Sequence, residues 1–248
     1  MSKDEIYASE SGGGRPFEFN ESVARVFPDM LRRSIPGYGA SIEAIGWLAA
    51  RSVRANTRCY DLGSSLGAAA LAIRDNVSAT GVSIVAVDNA PAMVERCRQR
   101  IATESGPGPT EQTRPEISVM EADVRDVEIA EASMVVMNYT LQFLPVSERN
   151  AMMAQIFRGL IEGGVFLLSE KVVNEDPSIE ALVVDLHHEY KRAHAYSELE
   201  ISRKRAALEN VLIPESIETH RKRLSGVGFR HVGVLLRHFN FVSLLAIR

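Results

Sequence analysis

The stretch "YDLGSSLGAAALAIR", residues 60–74, has the pattern of a strand, a tight loop and a helix. Its apolar strand ends at Asp61, Gly63 follows, and small and apolar residues then continue as a helix. Loops of this kind bind nucleotides at the start of the helix and carry glycines where the backbone approaches the ligand. Ser65 occupies the middle position, where such loops commonly have a further glycine. The stretch predicts an α/β fold with a nucleoside site.

The same alternation continues along the chain. Short apolar strands alternate with amphipathic helices from residue 58 to residue 171, which is typical of a doubly wound, mostly parallel, Rossmann-like sheet. We expect a helical insertion at about residues 172–225 and then two strands that form a C-terminal antiparallel hairpin. Residues 1–16 are expected to form a mobile tail, and residues 17–248 a single α/β domain.

Two local expectations concern proline and glycine. Pro28 is expected to break the helix that begins after Asn20, because proline lacks a backbone N–H. The Gly- and Pro-rich residues 102–116 are expected to form a surface loop.

Composition excludes several classes of protein. A formal charge of −4 gives no overall basic field, so direct binding of nucleic acid is not expected. The longest wholly apolar run, residues 68–73, is too short to cross a membrane, and the first residues lack a signal peptide's apolar segment. Two cysteines, Cys59 and Cys97, suit a reducing compartment. These features predict a cytoplasmic location and no membrane partner.

Three histidines, His187, His188 and His194, lie close together in "LHHEYKRAH". Adjacent histidines point about 100° apart on a helix, and the zinc motif H-E-x-x-H is absent from the sequence. We therefore interpret them as a solvated helix face and predict no metal.

Polar side chains stand at the ends of four predicted strands, at Asp61, Asp88, Asp123 and Asn138. Ligands of such sheets bind outside the carboxyl ends of the strands. Asp88 comes 25 residues after Gly63, a spacing that suits a carboxylate accepting both hydroxyls of a ribose. A lone aspartate at a strand end is more often a helix cap, but four polar positions in this order predict a nucleoside site.

The order of residues in the loop, D-x-G-x-x-x-G, differs from the G-x-G-x-x-G of dinucleotide-binding proteins. It resembles the first motif of class I S-adenosylmethionine-dependent methyltransferases. That resemblance implies that Asp88 binds the ribose and that Asp123 lies near the adenine amino group. It also implies a ligand ammonium group beside backbone carbonyls and an acid.

Stretches outside this common fold resemble one family, the carboxy-S-adenosyl-L-methionine synthases. They are "VFPDMLRRSIPGYG", "YDLGSSLGAA", "VDNAPAMVERCR", "MVVMNYTLQFL", "AYSELEISRKRAALENV" and "SIETH". The resemblance covers the chain apart from about the first 16 residues and the loop at residues 103–115. It is specific, because several of these motifs fall in the N-terminal segment and the helical insertion, where generic methyltransferases differ freely.

The resemblance implies a reaction in which S-adenosylmethionine and prephenate give carboxy-S-adenosylmethionine and phenylpyruvate. The methyl group would lose a proton to form a sulfonium ylide, which captures the carbon dioxide that prephenate releases. The family also implies a homodimer, and a product that passes to a tRNA carboxymethyltransferase to modify a wobble uridine. No protein residue is assigned as the base.

The resemblance also implies a set of ligand-binding positions. The family pattern has cysteine where this chain has Ser64. The positions are Tyr38, Gly63, Ser64, Ser65, Asp88, Asn89, Asp123, Val124, Asn138 and Arg205.

Helix geometry also places Arg205 on a particular face of its helix. It lies four residues after Ile201 and three before Leu208, on one apolar stripe. Its stem could pack there while the guanidinium reaches solvent. The family resemblance implies instead that Arg205 binds the added carboxyl group of the product, as the planar guanidinium suits a carboxylate.

Three other functions remain open from the sequence. The first is an ordinary small-molecule S-adenosylmethionine-dependent methyltransferase, which would share the nucleoside site. The second is a nicotinamide-dependent oxidoreductase, which the Asp61 loop disfavours. The third is a non-catalytic S-adenosylmethionine-binding partner of a tRNA-modifying enzyme.

Overall fold

The computed structural model describes residues 3–8, 17–104 and 114–248. The helices are α1 (Glu21–Ser34), α2 (Tyr38–Ser52), α3 (Ala68–Asn76), α4 (Pro91–Thr103), α5 (Arg149–Gly159), α6 (Pro177–Ala193), α7 (Glu198–Leu208) and α8 (Ile217–Val227). The strands are β1 (Arg58–Leu62), β2 (Ser83–Asp88), β3 (Glu116–Glu121), β4 (Ala132–Asn138), β5 (Leu160–Val173), β6 (Glu215–Ser216), β7 (His231–His238) and β8 (Phe241–Ile247). None of the described helices is both long and apolar enough to cross a membrane.

The sheet has the strand order β3-β2-β1-β4-β5-β8-β7, with β6 paired to the end of β5. β1 pairs in parallel with β2 on one side and β4 on the other, so the strand order reverses at β1. β8 pairs antiparallel with both β5 and β7. The predicted doubly wound sheet with a C-terminal hairpin is therefore confirmed.

Apolar side chains cover both faces of the sheet. One core contains Met153 of α5, Phe166 of β5 and Leu224 of α8. The other contains Ile45 of α2 and Ile73 of α3. Because helices cover each face, the carboxyl ends of the strands are where polar side chains can reach a ligand.

Within the segment predicted as a helical insertion, residues 172–225, α8 differs from α6 and α7. α8 packs against α5, and its Leu224 is fully buried in a core of the sheet. Of the helices in this segment, only α6 and α7 lie outside the helical layers that cover the sheet, beside the carboxyl ends of its strands. The sequence pattern could not separate these cases, because an amphipathic helix has the same periodicity whether it covers a sheet or a cavity.

Pro28 does not break the first helix, contrary to expectation. α1 is continuous from Glu21 to Ser34 with Pro28 inside it. A proline inside a helix costs about 3 kcal/mol. Burial of Val26, Phe27 and Met30 in a common core offsets this cost.

Residues 3–8 of the expected tail pack against the domain, whereas residues 1, 2 and 9–16 lie outside the described residues. Asp4 is 1% exposed, and its backbone N–H donates to Asp29 Oδ2 at 2.9 Å. Its carbonyl accepts a hydrogen bond from Arg33 Nη1 at 3.0 Å, and its carboxylate accepts one from the Tyr196 hydroxyl. These buried partners hold the segment against α1 and the insertion. The loop predicted at residues 102–116 falls mainly on residues 105–113, which are also outside the described residues.

Candidate active site

A cavity of about 560 Å³ opens at the carboxyl ends of β1, β2 and β4, with α6 and α7 on its far side. Its volume lies in the range of small-molecule sites, and it lies where the strand order reverses, as expected for this kind of sheet. All ten ligand-binding positions implied by the sequence line this cavity. The structure brings them together, while the contact that each makes with a ligand stays a prediction.

The loop after β1 requires glycine at its first position. Gly63 has φ +80°, and a Cβ there would lie 2.2 Å from Thr140 Oγ1. The backbone N–H groups of Gly63 and Ser64 both donate to the Val87 carbonyl at 2.8 Å. The loop is thereby tied to the end of β2, and its backbone faces the cavity.

Ser65 explains how the loop forms without a middle glycine. It adopts φ +48°, a left-handed conformation that non-glycine residues rarely take. Its backbone N–H donates to Asp88 Oδ2 at 2.8 Å, while Asp88 Oδ1 accepts the N–H of Ala90 at 2.9 Å. Asp88 therefore shapes the loop, and each carboxylate oxygen retains acceptor capacity for a ligand hydroxyl.

Asp61 lies at the inner end of the cavity and is 1% exposed. The pKa of its carboxyl group is raised to about 7, chiefly by burial; a hydrogen bond from the Ala70 N–H, at 3.0 Å, opposes this shift and the Asp88 charge adds to it. The site thus contains a buried acid that a ligand cation would stabilise in its charged form.

The cavity wall also contains two buried side-chain oxygens that have no partner among the described residues. Ser64 Oγ and Asn138 Oδ1 are buried and have no hydrogen-bond partner in the described part of the chain. Next to Asn138, Tyr139 has φ +64° and donates its N–H to the Ser169 carbonyl at 2.8 Å. Buried polar groups are nearly always satisfied, so these atoms fit a ligand that supplies the missing bonds.

Asp123 reaches the cavity with its carboxylate partly occupied. Its oxygens accept hydrogen bonds from Arg125 Nε at 2.8 Å and Nη2 at 2.6 Å, and these bonds lower the pKa of Asp123. Arg125 also pairs with Glu148. Val124 is buried and packs beside the Asp123 backbone. A ligand amino group at Asp123 would share the carboxylate with Arg125.

The insertion supplies a cationic wall that the sequence analysis missed, apart from Arg205. The residues that α6 contributes to this wall are three or four positions apart, which places them on one helix face. That spacing was the sequence signal that could have identified them. The residues from the insertion and the adjoining strand are Lys171, Val184, His187, His188, Lys191, Lys204, Arg205 and Leu208.

His187 corrects the expectation of a solvated histidine face. Its side chain is buried, and its Nε2 donates to the Ser34 carbonyl at 2.8 Å. Burial and the charge of Lys191 lower the pKa of His187 to about 3, so the ring is neutral at physiological pH. Across the described ranges, no group of three or more His, Cys, Asp or Glu residues could hold a metal ion. The absence of a metal stays a prediction.

Aromatic rings form the remaining wall, which the sequence analysis also missed. The Phe19 ring lies edge-on to Phe17, Phe27 and Phe143, with centroid distances of 5.0, 5.9 and 5.3 Å. All four residues line the cavity. They limit the water that can contact a bound ligand.

Comparisons with known proteins agree with this geometry. The "Methyltransferase domain" family model matches residues 60–164. The chain is 47% identical over 246 residues to the carboxy-S-adenosyl-L-methionine synthase of Klebsiella pneumoniae (strain 342), covering 99% of this chain and 97% of that protein. It is 46% identical over 248 residues to the synthase of Pasteurella multocida (strain Pm70), covering all of both chains.

Solved structures are more distant in sequence but share the fold. Human N-acetylserotonin methyltransferase in complex with S-adenosylmethionine has a TM-score of 0.60 at 18% identity, covering 98% of this chain and 57% of that chain. A putative S-adenosylmethionine-dependent methyltransferase from Methanococcus maripaludis has a TM-score of 0.58 at 19% identity, covering 94% of this chain and 95% of that chain.

The sheet order, the loop after β1 and the cavity define a class I S-adenosylmethionine-dependent methyltransferase fold. Similarity to many methyltransferases supports this class but does not distinguish among its activities. The near-full-length identity is more specific. The chain belongs to the carboxy-S-adenosyl-L-methionine synthase family.

We predict that Asp61→Asn stabilises the protein without ligand at pH 8. Because burial raises the folded-state pKa of Asp61 to about 7, the wild type loses stability as pH rises from about 4, the unfolded-state pKa, towards 7. Asparagine still accepts the Ala70 N–H but carries no charge. Thermal unfolding should show a gain on the order of 4 kcal/mol at pH 8 that disappears near pH 4. A variant less stable than wild type at pH 8 contradicts this.

We predict that Asp88→Ala weakens S-adenosylmethionine and carboxy-S-adenosylmethionine equally, since both carry the same ribose. Loss of hydrogen bonds to a charged group costs about 1.5–3 kcal/mol, a factor of roughly 10 to 150 in affinity. Calorimetric titration measures both ligands, with exposed Asp185→Ala as the matched control. Circular dichroism should verify the fold. Unchanged affinity would remove Asp88 from the site.

Proposed function

We propose that this protein is a carboxy-S-adenosyl-L-methionine synthase, which converts S-adenosylmethionine and prephenate to carboxy-S-adenosylmethionine and phenylpyruvate. The full-length relationship to proteins of that name carries the proposal. It is supported by a cavity with acids at the strand ends and cations on the insertion. An ordinary methyltransferase has no evident need for the second feature.

The proposed reaction balances without a further oxidant or reductant. The S-methyl group of the first substrate loses a proton, and a carbon–carbon bond forms between the resulting sulfonium ylide and carbon dioxide. Prephenate loses its ring carboxyl group as that carbon dioxide and its ring hydroxyl group as hydroxide, and the ring becomes aromatic. Hydroxide and the methyl proton together give water.

The acidic end of the cavity fits the amino acid and nucleoside parts of S-adenosylmethionine. Asp61 offers a buried carboxylate for the ligand ammonium group, and Asn138 Oδ1 offers an acceptor without a partner among the described residues. Asp88 offers acceptor capacity for the ribose hydroxyls. These groups support S-adenosylmethionine as the ligand, because its ammonium group and its ribose hydroxyls would supply the positive charge and the hydrogen-bond donors that they can accept.

Arg205 fits the added carboxyl group of the product. It lies in the cavity wall, and within the described ranges its guanidinium has no hydrogen bond or ion pair. A guanidinium is well suited to bind a carboxylate through two parallel hydrogen bonds. Arg205 would therefore allow the site to distinguish the product, which carries this carboxyl group, from S-adenosylmethionine, which does not.

The aromatic wall would keep water away from the reacting carbon. Phe19 and its three neighbouring rings leave few polar atoms on that side of the cavity. Exclusion of water would slow protonation of the ylide and retain carbon dioxide beside it. We assign no protein residue as the base.

We further propose that the protein works in the cytoplasm as a homodimer, and that its product passes to a tRNA carboxymethyltransferase for wobble uridine modification. The dimer is supported by an exposed apolar face on α6, where Ile179, Leu182 and Leu186 are 51%, 60% and 41% exposed. The net charge of −4 agrees with the expectation that the protein does not itself bind nucleic acid.

The decisive experiment is mass spectrometry of the small molecule that co-purifies with the protein. We expect carboxy-S-adenosylmethionine, and we expect incubation with S-adenosylmethionine and prephenate to produce more of it together with phenylpyruvate. If only the unmodified ligand is found and prephenate yields no carboxylated product, the synthase proposal is wrong. The ordinary methyltransferase and the non-catalytic S-adenosylmethionine-binding protein would then remain as candidates.

We also predict that Arg205→Met weakens the carboxylated product selectively. Arg205 is exposed at the cavity rim, so the expected loss is that of a hydrogen-bonded charge, about 1.5–3 kcal/mol, or roughly 10- to 150-fold. S-adenosylmethionine affinity should change little, because that ligand lacks the carboxyl group. Calorimetric titration of both ligands measures this, with exposed Arg221→Met as control. An equal loss for both ligands would mean that Arg205 does not bind the carboxyl group.

A further inference from the structure

Two lysines in the cavity wall, Lys171 and Lys191, have amines without partners among the residues that the structure describes. Lys171 lies on β5 beyond Ser169, the residue that pairs with the last residue of β4. Lys191 lies on α6, at the position that continues the cavity-facing stripe of His187. Both side chains are half-buried, and neither amine forms a hydrogen bond or an ion pair with any residue that the structure describes.

The neighbouring cation Lys204 is different, because it is satisfied within the protein. Its amine donates to Ser34 Oγ at 2.9 Å and lies 3.7 Å from Asp4 Oδ2. Lys204 therefore has a structural role in holding the N-terminal segment. Lys171 and Lys191 are left without such a role.

Among the residues that the structure describes, no carboxylate forms an ion pair with either amine. Glu180 is the carboxylate that acts on Lys171, but its Oε2 already accepts the N–H and the side-chain amide of Asn174, at 2.7 and 3.1 Å. The other charged groups near this pair are cations. The titratable groups around Lys171 and Lys191 are His187 and His188 on α6, Lys204 and Arg205 on α7, and Glu180.

The electrostatic cost of this arrangement is visible in the pKa values. The pKa of Lys191 is lowered to about 7, chiefly by burial and in addition by the charges of Lys204 and Lys171. Burial likewise lowers the pKa of Lys171, and Arg205 adds to that effect. Cations held together without an anion are unfavourable, and a bound anion would relieve both the desolvation and the repulsion.

The cavity itself indicates what kind of anion this is. Its volume of about 560 Å³ lies within the range of small-molecule sites, and its cationic side lies opposite the acids of the strand ends. Aromatic rings adjoin this side, at Phe241 and Tyr139, whose centroids are 5.9 Å apart. A small carboxylate attached to an unsaturated ring matches both features.

We propose that Lys171 and Lys191 bind the carboxylate that the second substrate keeps throughout the reaction. This inference rests on the proposed function, in which prephenate carries one carboxylate that leaves as carbon dioxide and one that remains in phenylpyruvate. Ion pairs to the departing carboxylate would stabilise the ground state more than the transition state and slow its loss. Ion pairs to the remaining carboxylate hold substrate and product alike, and so orient the ring without opposing the chemistry.

The test compares Lys171→Met and Lys191→Met with wild type and with the control Lys222→Met, which removes a lysine that is 76% exposed on α8. For each protein we would measure S-adenosylmethionine affinity, the KM for prephenate, and inhibition by phenylpyruvate. We expect unchanged S-adenosylmethionine affinity, a KM for prephenate raised about 10- to 100-fold, and phenylpyruvate inhibition weakened in parallel. Lys191→Arg should recover part of the lost affinity, since it restores the cation.

The outcomes separate this inference from the proposed function. If wild type makes product and both methionine variants keep the KM and the inhibition constant of wild type, the two lysines do not bind the carboxylate, while the function stands. A raised KM with unchanged phenylpyruvate inhibition would assign them to the departing carboxylate and contradict the proposal.

A direct binding measurement tests the two lysines even if the proposed function is wrong. If wild type makes no product from prephenate, calorimetric titration of phenylpyruvate into the S-adenosylmethionine-saturated protein still examines the two lysines. Binding to wild type that is lost in both methionine variants supports the carboxylate site. Absence of binding to wild type overturns it.

Discussion

The fully buried guanidinium of Arg149 joins the two segments that frame the cavity. It donates to the carbonyls of Gln142 and Leu144 in the loop after β4, each at 3.1 Å, and to the carbonyl of Ile213 after α7 at 2.9 Å. Its Nη1 also pairs with Glu215 Oε2 at 2.6 Å. A buried charge is tolerated only when its donors are satisfied, so these contacts constrain one another. The insertion therefore returns to the sheet at one defined place.

That constraint sets two groups of opposite charge on opposite sides of one cavity. Asp61 and Asp88 follow β1 and β2, where parallel strands end together. Lys191 and Arg205 come from α6 and α7, which the Arg149 contacts return to the same edge. A ligand that carries an ammonium group at one end and a carboxyl group elsewhere is complementary to such a cavity. The charge separation follows from the architecture, since the two groups belong to different layers.

The N-terminal segment contributes to the same arrangement from outside. Arg33 on α1 donates to the carbonyls of His194 and Ala195 at 2.7 and 2.6 Å, between the two inserted helices. Asp4 accepts from Arg33 and Tyr196 and lies beside Lys204. α1 and the insertion are thereby held together around the cavity. Residues far apart in the chain share one small network because each is a buried polar group that needs a partner.

The sequence by itself determined the sheet, the loop after β1 and the acidic side of the site. Strand periodicity and the D-x-G-x-x-x-G order are local, and parallel strand ends meet wherever such a fold forms, so Asp61, Asp88 and Asn138 could be placed together in advance. Only the tertiary structure decided which cations lack partners. Lys171 and Lys204 look equivalent in the sequence, but the Lys204 amine contacts Ser34 and Asp4, whereas the Lys171 amine forms no hydrogen bond or ion pair with any described residue. The continuity of α1 through proline was likewise decided by packing. These outcomes depend on contacts between residues distant in the chain, and local patterns carry no information about them.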